Sequence, residues 1–403
     1  MFEDEEAVQR LKQDKKEEVI GVFADPRINA CPGGYCRTGP SGDFQDVIKG
    51  LGADKLRGPG ITGKNVRIVV VDTGIDGTHA GPTGQPLQKN ISSSFKSLPG
   101  YNPGSAGADH GTMVAFDCLL AAPDAALCDY PLLQASGKSW QSFLSDALSA
   151  FANLMDLIQK EPGPLVVNNS WALYNRSGDA PVGSPENYSA NPNHPFNQMV
   201  GSLVSAGADV LFAAGNCGED CPDGLCGTND VGPGQSIHGA NSHPSVITVG
   251  AVTVGKQWLG YSSQGPGGLA RQKPDLCAYS HFVGSGIFKA DAGTSAACPV
   301  ASGVVAALRQ AWPKVTPEVV KGALEKSAEP IGSGWSYSTG YGLISAYRTW
   351  AAGVTGFTVA GIVKTKRTAT KKKARRKVGW MHEPTLPEKK KSTSKKLTRL
   401  AKN

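Results

Sequence analysis

The sequence predicts an α/β fold, a mainly parallel sheet flanked by helices on both faces, and three observations carry that expectation. Short apolar runs at 66–71, 165–168, 210–214 and 246–251 alternate with helix-patterned segments at 112–120, 139–159, 197–206, 295–311 and 317–327. Strands that alternate with helices build parallel sheets covered on both faces. Two polar residues, Asp72 and Asn216, stand just past strand ends, where sites of open α/β sheets gather. Glycine is abundant, 50 of 403 residues, which suits many tight loops.

In chain order, residues 1–45 form a short N-terminal extension. Positions 5–18 are charged with scattered apolar residues and read as a surface helix; 19–24 read as a strand closed by Asp25-Pro26. Cys31 and Cys36 bracket Pro-Gly-Gly and either close a small disulfide ring or remain free thiols. Residues 46–352 carry the strand–helix alternation and form the main domain. Residues 353–403 form a basic tail. A short strand is possible at 353–363, but the Lys-rich remainder has too little apolar surface to fold alone and is expected to be disordered.

Charge divides the same way. Residues 361–403 hold 16 Lys or Arg and 2 Glu, a balance of +14, against 25 basic and 32 acidic residues, or −7, elsewhere. A partner of the tail would be nucleic acid, an anionic membrane surface or another polyanion; the alternative is a solubilising tail. Only Trp380 lies near the densest basic cluster, which gives base stacking little support. The acidic start, Met1-Phe2-Glu3-Asp4-Glu5-Glu6, lacks a leader pattern and favours an intracellular protein, or a secreted one if the N-terminus is truncated. No run reaches membrane-span length. Nine cysteines leave at least one thiol unpaired within the chain.

The chemistry is concentrated in four places. Gly293-Thr294-Ser295 puts a hydroxyl before a small, apolar, helix-compatible segment. The positive end of a helix there favours the oxyanion formed when a hydroxyl attacks a carbonyl. An apolar run ends at Asp72-Thr73-Gly74, and His110-Gly111-Thr112 opens another. Asp72, His110 and Ser295 are the residue types of a nucleophile activated by an imidazole that a carboxylate orients. Ala213-Ala214-Gly215-Asn216 ends a strand in a carboxamide able to donate to the oxyanion.

The order Asp, His, Ser and these four motifs resemble the subtilisin-like serine proteases, the subtilases, across residues 46–350 or so. Val166 to Trp171 resembles that family's substrate-pairing strand, and Tyr261 to Pro266 with Lys273-Pro274-Asp275 its approach to the serine. The resemblance implies a subtilisin-like fold and peptide-bond hydrolysis through an acyl-enzyme. In that reading Ser295 is the nucleophile, His110 the base, Asp72 its orienting group and Asn216 the oxyanion donor. Ser170, Trp171, Ala172, Ala213, Ala214 and Gly215 would pair with an extended peptide and line the first pocket. The extension resembles the last helix and strand of the family's inhibitory propeptide, though an ordinary extension reads equally well. No cofactor is required for this chemistry, no metal ligands are assigned, and structural calcium stays open. The substrate would be a peptide or protein and the enzyme a monomer.

Two positions depart from the family pattern: Met113 stands where a second histidine is usual, and Ala296-Ala297 where methionine is common. Neither removes a reacting group. His79, His194, His238, His243, His281 and His382 read as surface or loop residues, and Asp76 and Asp109 as turn and loop residues. Cys217, Cys221 and Cys226 favour disulfide over free thiols, with zinc the weakest reading because three ligands do not close a site. Glu219, Asp220 and Asp223 form either a solvated loop or an acidic rim for basic substrates. Competing functions are a protease dedicated to one precursor and a non-catalytic scaffold that binds nucleic acid through the tail.

Overall fold

The apolar runs become strands because successive side chains point to opposite faces, and here both faces are buried. The computed structural model describes residues 19–30, 39–136, 139–354 and 377–381. In chain order, β1 is Val19–Ala24, β2 Arg27–Ala30, α1 Phe44–Leu51, α2 Ala53–Arg57, β3 Arg67–Asp72 and α3 His110–Cys118. Then come β4 Ala126–Pro131, β5 Gln134–Ser136, β6 Ser139–Phe143, α4 Leu144–Lys160, β7 Leu165–Asn169 and β8 Trp171–Ala172. The remainder is α5 Pro195–Ser205, β9 Asp209–Ala213, β10 Ile247–Val252, β11 Leu276–Tyr279, α6 Thr294–Ala311, α7 Pro317–Ser327, α8 Ala346–Ala352 and β12 Lys377–Met381.

The central sheet has six strands in the order β11-β10-β9-β7-β3-β4, with every neighbouring pair parallel. Along β3 the core alternates. Ile68 and Val70 join the cluster that includes α3 and α6; Val69 and Val71 join the cluster under α4 and α5. Fully burying each such side chain is worth about 1.5–3 kcal/mol, so a slip of one residue would be costly. Helix α6 is buried through its first sixteen residues, and its all-round small, apolar sequence suits that position. Gly303 lets α6 approach α3: a Cβ there would stand 2.2 Å from the Cys118 carbonyl oxygen. Gly111 does the same for the turn after β3, since its Cβ would meet the Gly74 carbonyl at 2.3 Å. These two contacts bring the helix beginning at His110 against both the strand ending at Asp72 and the helix holding Ser295.

A second sheet, β5-β6-β2-β8, is antiparallel. It corrects one expectation, because 139–143 is strand rather than the first turns of a helix. Ser142 and Asp146 explain the boundary: the Ser142 hydroxyl donates to Asp146 Oδ2 at 2.8 Å, and the Phe143 N–H donates to the same oxygen at 3.4 Å. The helix therefore starts at Leu144. A third, two-stranded sheet pairs β1 with β12 in parallel. Lys377–Met381 is thus a strand within the Lys-rich remainder of the tail expected to be disordered. The expected helix at 5–18, the Cys31–Cys36 loop and most of 353–363 lie outside the described residues.

Candidate active site

Asp72 ends β3 and His110 begins α3, and both are fully buried. Asp72 Oδ1 accepts from His110 Nδ1 at 2.7 Å and from the Thr73 N–H at 2.8 Å. With Nδ1 bonded to a carboxylate, the proton of a neutral imidazole sits there and Nε2 is left as acceptor. His110 Nε2 has no hydrogen-bond partner among the described residues. Asp109, expected to be a plain loop residue, is the N-cap of α3: its Oδ1 accepts the His110 N–H at 2.8 Å.

Ser295 is the second residue of α6, after Gly293, whose φ of 75° suits glycine. The serine hydroxyl donates to the Ser170 carbonyl at 3.0 Å rather than to His110. Ser170 Oγ returns a bond to the Ser295 carbonyl at 3.1 Å. Asn168 Nδ2 steadies that hydroxyl at 3.0 Å, and Ser302 of α6 donates to Asn168 Oδ1 at 2.9 Å. These bonds tie the serine helix to β7 and β8.

Asn216 is also fully buried. Its Oδ1 accepts the Thr294 N–H and the Thr294 hydroxyl, both at 2.9 Å. A backbone N–H can only donate, so the amide oxygen must face Thr294. The Nδ2 donor then has no partner among the described residues. The structure thus leaves an imidazole nitrogen and an amide donor without partners among the described residues, and holds the serine hydroxyl on the Ser170 carbonyl just before β8. Ala213, Ala214 and Gly215 use their backbone groups within the fold. The Ala213 carbonyl accepts from Asn241, the Ala214 N–H donates to Val249, and the Gly215 N–H donates to Thr294 Oγ1. Trp171 turns its indole into the core, donating to the Val71 carbonyl at 3.2 Å.

The edge of β8 is occupied by the chain itself. Asn29 stands opposite Ala172 and Ala30 opposite Trp171, antiparallel, and the other side of β2 pairs with β6 from Arg27–Phe143 to Asn29–Gln141. Upstream, Asp25 Oδ1 accepts the Ser145 N–H in the first turn of α4 at 2.7 Å. His194 is buried rather than on the surface, at the bend that caps α5. Its Nε2 donates to the Ala24 carbonyl at 3.0 Å and its Nδ1 accepts the Phe196 N–H at 3.3 Å. Burial lowers its pKa to about 4, against the usual imidazole value near 6.5. His238 and His281 are buried as well, and His382 lies outside the described residues.

Beyond Asn216, Cys217 and Cys226 form a disulfide, and Cys221 is disulfide-bonded too, so thiolate zinc ligation has no place there. Asp223 is buried, not solvated, and accepts the Leu225 N–H. Among the described residues no group of three His, Cys, Asp or Glu is placed to hold a metal ion. No described helix is long and apolar enough to cross a membrane.

Comparison with known proteins agrees with this architecture. The chain is 29% identical over 348 residues to subtilisin E of Bacillus subtilis (strain 168), covering 84% of this chain and 77% of that protein. It is 29% identical over 326 residues to the membrane-bound transcription factor site-1 protease of Mus musculus, 76% of this chain but 27% of the mouse protein. Among solved structures, fervidolysin from Fervidobacterium pennivorans, described as a keratinolytic enzyme related to subtilisin, matches with a TM-score of 0.55 at 20% identity. That match covers 77% of this chain and 46% of the fervidolysin chain, and it speaks to the fold alone. The model of the subtilase family matches residues 63–342, so the chain belongs to the subtilase family and is a subtilisin-like serine endopeptidase, whose chemistry needs no cofactor.

Proposed function

We propose that this protein hydrolyses peptide bonds through an acyl-enzyme on Ser295, and that its own N-terminal strand lies in the substrate cleft as a blocking segment. The observation that carries the chemistry is the 2.7 Å bond from His110 Nδ1 to Asp72, with Nε2 left open. Ser295 Oγ leaves the Ser170 carbonyl, passes its proton to His110 Nε2 and attacks the substrate carbonyl carbon. The carbonyl oxygen takes the negative charge, and Asn216 Nδ2 and the Ser295 N–H donate to it. Loss of such an asparagine donor in a subtilisin costs about 100- to 1000-fold in turnover. His110 then gives its proton to the leaving amine. Water, deprotonated by the same imidazole, releases the acyl group and regenerates Ser295.

Ser170, Trp171 and Ala172 supply the substrate-pairing edge, a reading supported by the strand already found there. Asn29 and Ala30 run antiparallel to Ala172 and Trp171 as an extended peptide would. The 27–30 segment is therefore read as the end of a propeptide, consistent with an N-terminal extension separate from the catalytic body. Ser295→Ala tests the chemistry. Hydrolysis of casein and labelling by a fluorophosphonate should both vanish in a variant that keeps the parent's melting temperature; undiminished hydrolysis would overturn the assignment.

A further inference from the structure

Strand β6 and the histidine helix are joined by one side chain. Trp140, the second residue of β6, donates its indole N–H to Asp109 Oδ2 at 2.8 Å. The other oxygen of that carboxylate caps the His110 N–H at 2.8 Å. The Trp140 ring lies beside the His110 imidazole, with centroids 5.7 Å apart and planes tilted by 33°. Phe288 meets Trp140 edge-on at 6.4 Å from a separate segment. Next along the same strand, Gln141 pairs with Asn29 of the segment lying in the cleft.

We propose that Trp140, tethered by Asp109, is a positioning residue that holds the His110 imidazole in its proton-accepting posture and couples that posture to occupation of β6. This rests on the reading of His110 as the base. A single hydrogen bond at Nδ1 fixes one point of the ring but leaves it free to tilt about that contact. A flat aromatic face removes the tilt and keeps Nε2 aimed where the serine proton must arrive. When the imidazole gains that proton, the indole face also favours the cation, and in a buried site such a contact is not diluted by water. Asp109 contributes twice: one oxygen holds the first N–H of the helix, the other holds the indole. An extended peptide that pairs with β6 steadies Trp140 from the opposite side, so a bound substrate tightens the base it is about to use.

The test separates positioning from a simple wall of the cleft. With a short peptide substrate, Trp140→Ala should lower kcat about three- to thirtyfold, the loss expected for one desolvated aromatic contact, while KM changes by less than about twofold. Trp140→Phe keeps an aromatic ring but loses the N–H that Asp109 holds, and should recover only part of that loss. Asp109→Ala should lower kcat similarly, and the Asp109→Ala/Trp140→Ala double variant should fall little further, since both act through one unit. A low-field proton resonance from the His110 Nδ1–H should broaden most in Trp140→Ala and less in Trp140→Phe, which gives a readout independent of turnover. A change in KM alone with kcat preserved, or fully additive losses in the double variant, would overturn the proposal. His110→Ala serves as the control: activity surviving in it would instead overturn the catalytic reading on which the proposal rests.

Discussion

On the histidine helix and just before the serine helix, two neighbouring carboxyl groups are buried out of water. Asp117, seven residues after His110, is fully buried, and neither of its oxygens receives a donor from the described residues. Burial, and then the charge of Asp291, push its pKa well above the carboxylate range. Asp291, four residues before Ser295, accepts the Ser285 N–H and, at 2.7 Å, the Ser285 hydroxyl. Burial raises its pKa to about 6 despite those bonds. Both shifts favour the protonated acid, Asp117 the more strongly, so we read the pair as sharing one proton held on Asp117. The neutral forms are favoured in the fold, so their stability is fully present below the ordinary carboxyl pKa near 4. It erodes as pH rises from there through about 6 for Asp291, and onward for Asp117. Asp117→Asn keeps the shape and a donor without an acid to ionise. Its melting temperature, measured in a Ser295→Ala background, should match the parent near pH 4 and exceed it by a few degrees near pH 8; a constant gap would refute the shared proton. The motif residues Asp72, His110, Ser295 and Asn216 stand out in the sequence because each sits at the border of an apolar run. Asp109 and Asp117 do not: the cap Asp109 makes is local, but its tie to Trp140 and the pairing of Asp117 with Asp291 depend on residues far along the chain.

At the scale of elements, the same contrast holds between strands that carry their own signal and strands that borrow it. The runs ending at Val71, Val167, Ala213 and Val252 are mostly apolar because both of their faces are covered, and that burial is written into each run. The strands β2, β6 and β8 are four, five and two residues long and mixed in character. They exist through pairing with one another across more than a hundred residues, which no local pattern contains. For that reason 139–143 merges with the helix that follows it when the sequence is read alone. Asn29 is the keystone of the pairing, with Gln141 on one side and Ala172 on the other. Asn29→Pro removes its N–H and should cost one ladder bond, about 1–3 kcal/mol, or roughly a five- to hundredfold rise in the fraction of chains with an open cleft. Initial rates on a small peptide, normalised by active-site titration, should rise in the uncleaved chain. Unchanged rates would mean that β2 does not limit access.

At the scale of the whole molecule, the two ends of the chain meet. The tail is the basic part of the protein and the body is acidic, yet the described contact between them is backbone pairing: Val19–Lys377 through Ala24–Met381, in parallel. Composition argues that the tail has too little apolar surface for a core of its own, but a strand needs only an edge, and β1 offers one. Among the described residues β12 is the sole strand partner of β1, and β1 leads through Asp25-Pro26 directly into the strand in the cleft. The tail thus bears on the segment that we propose blocks the active site, some 350 residues earlier in the chain. Deleting residues 377–403 should leave the central sheet intact and loosen β1. In hydrogen exchange on the Ser295→Ala protein, amides between Val19 and Phe23 should lose protection by about tenfold or more, while those of β7 and β9 stay unchanged, because local openings are set by local partners. Ala24 is excluded because its N–H donates to the Glu186 carbonyl at 2.9 Å and should keep its protection whichever way the tail goes. Equal protection of β1 with and without the tail would show that the two ends do not hold each other, and that the cleft strand is retained by Asp25, His194 and its own pairing alone.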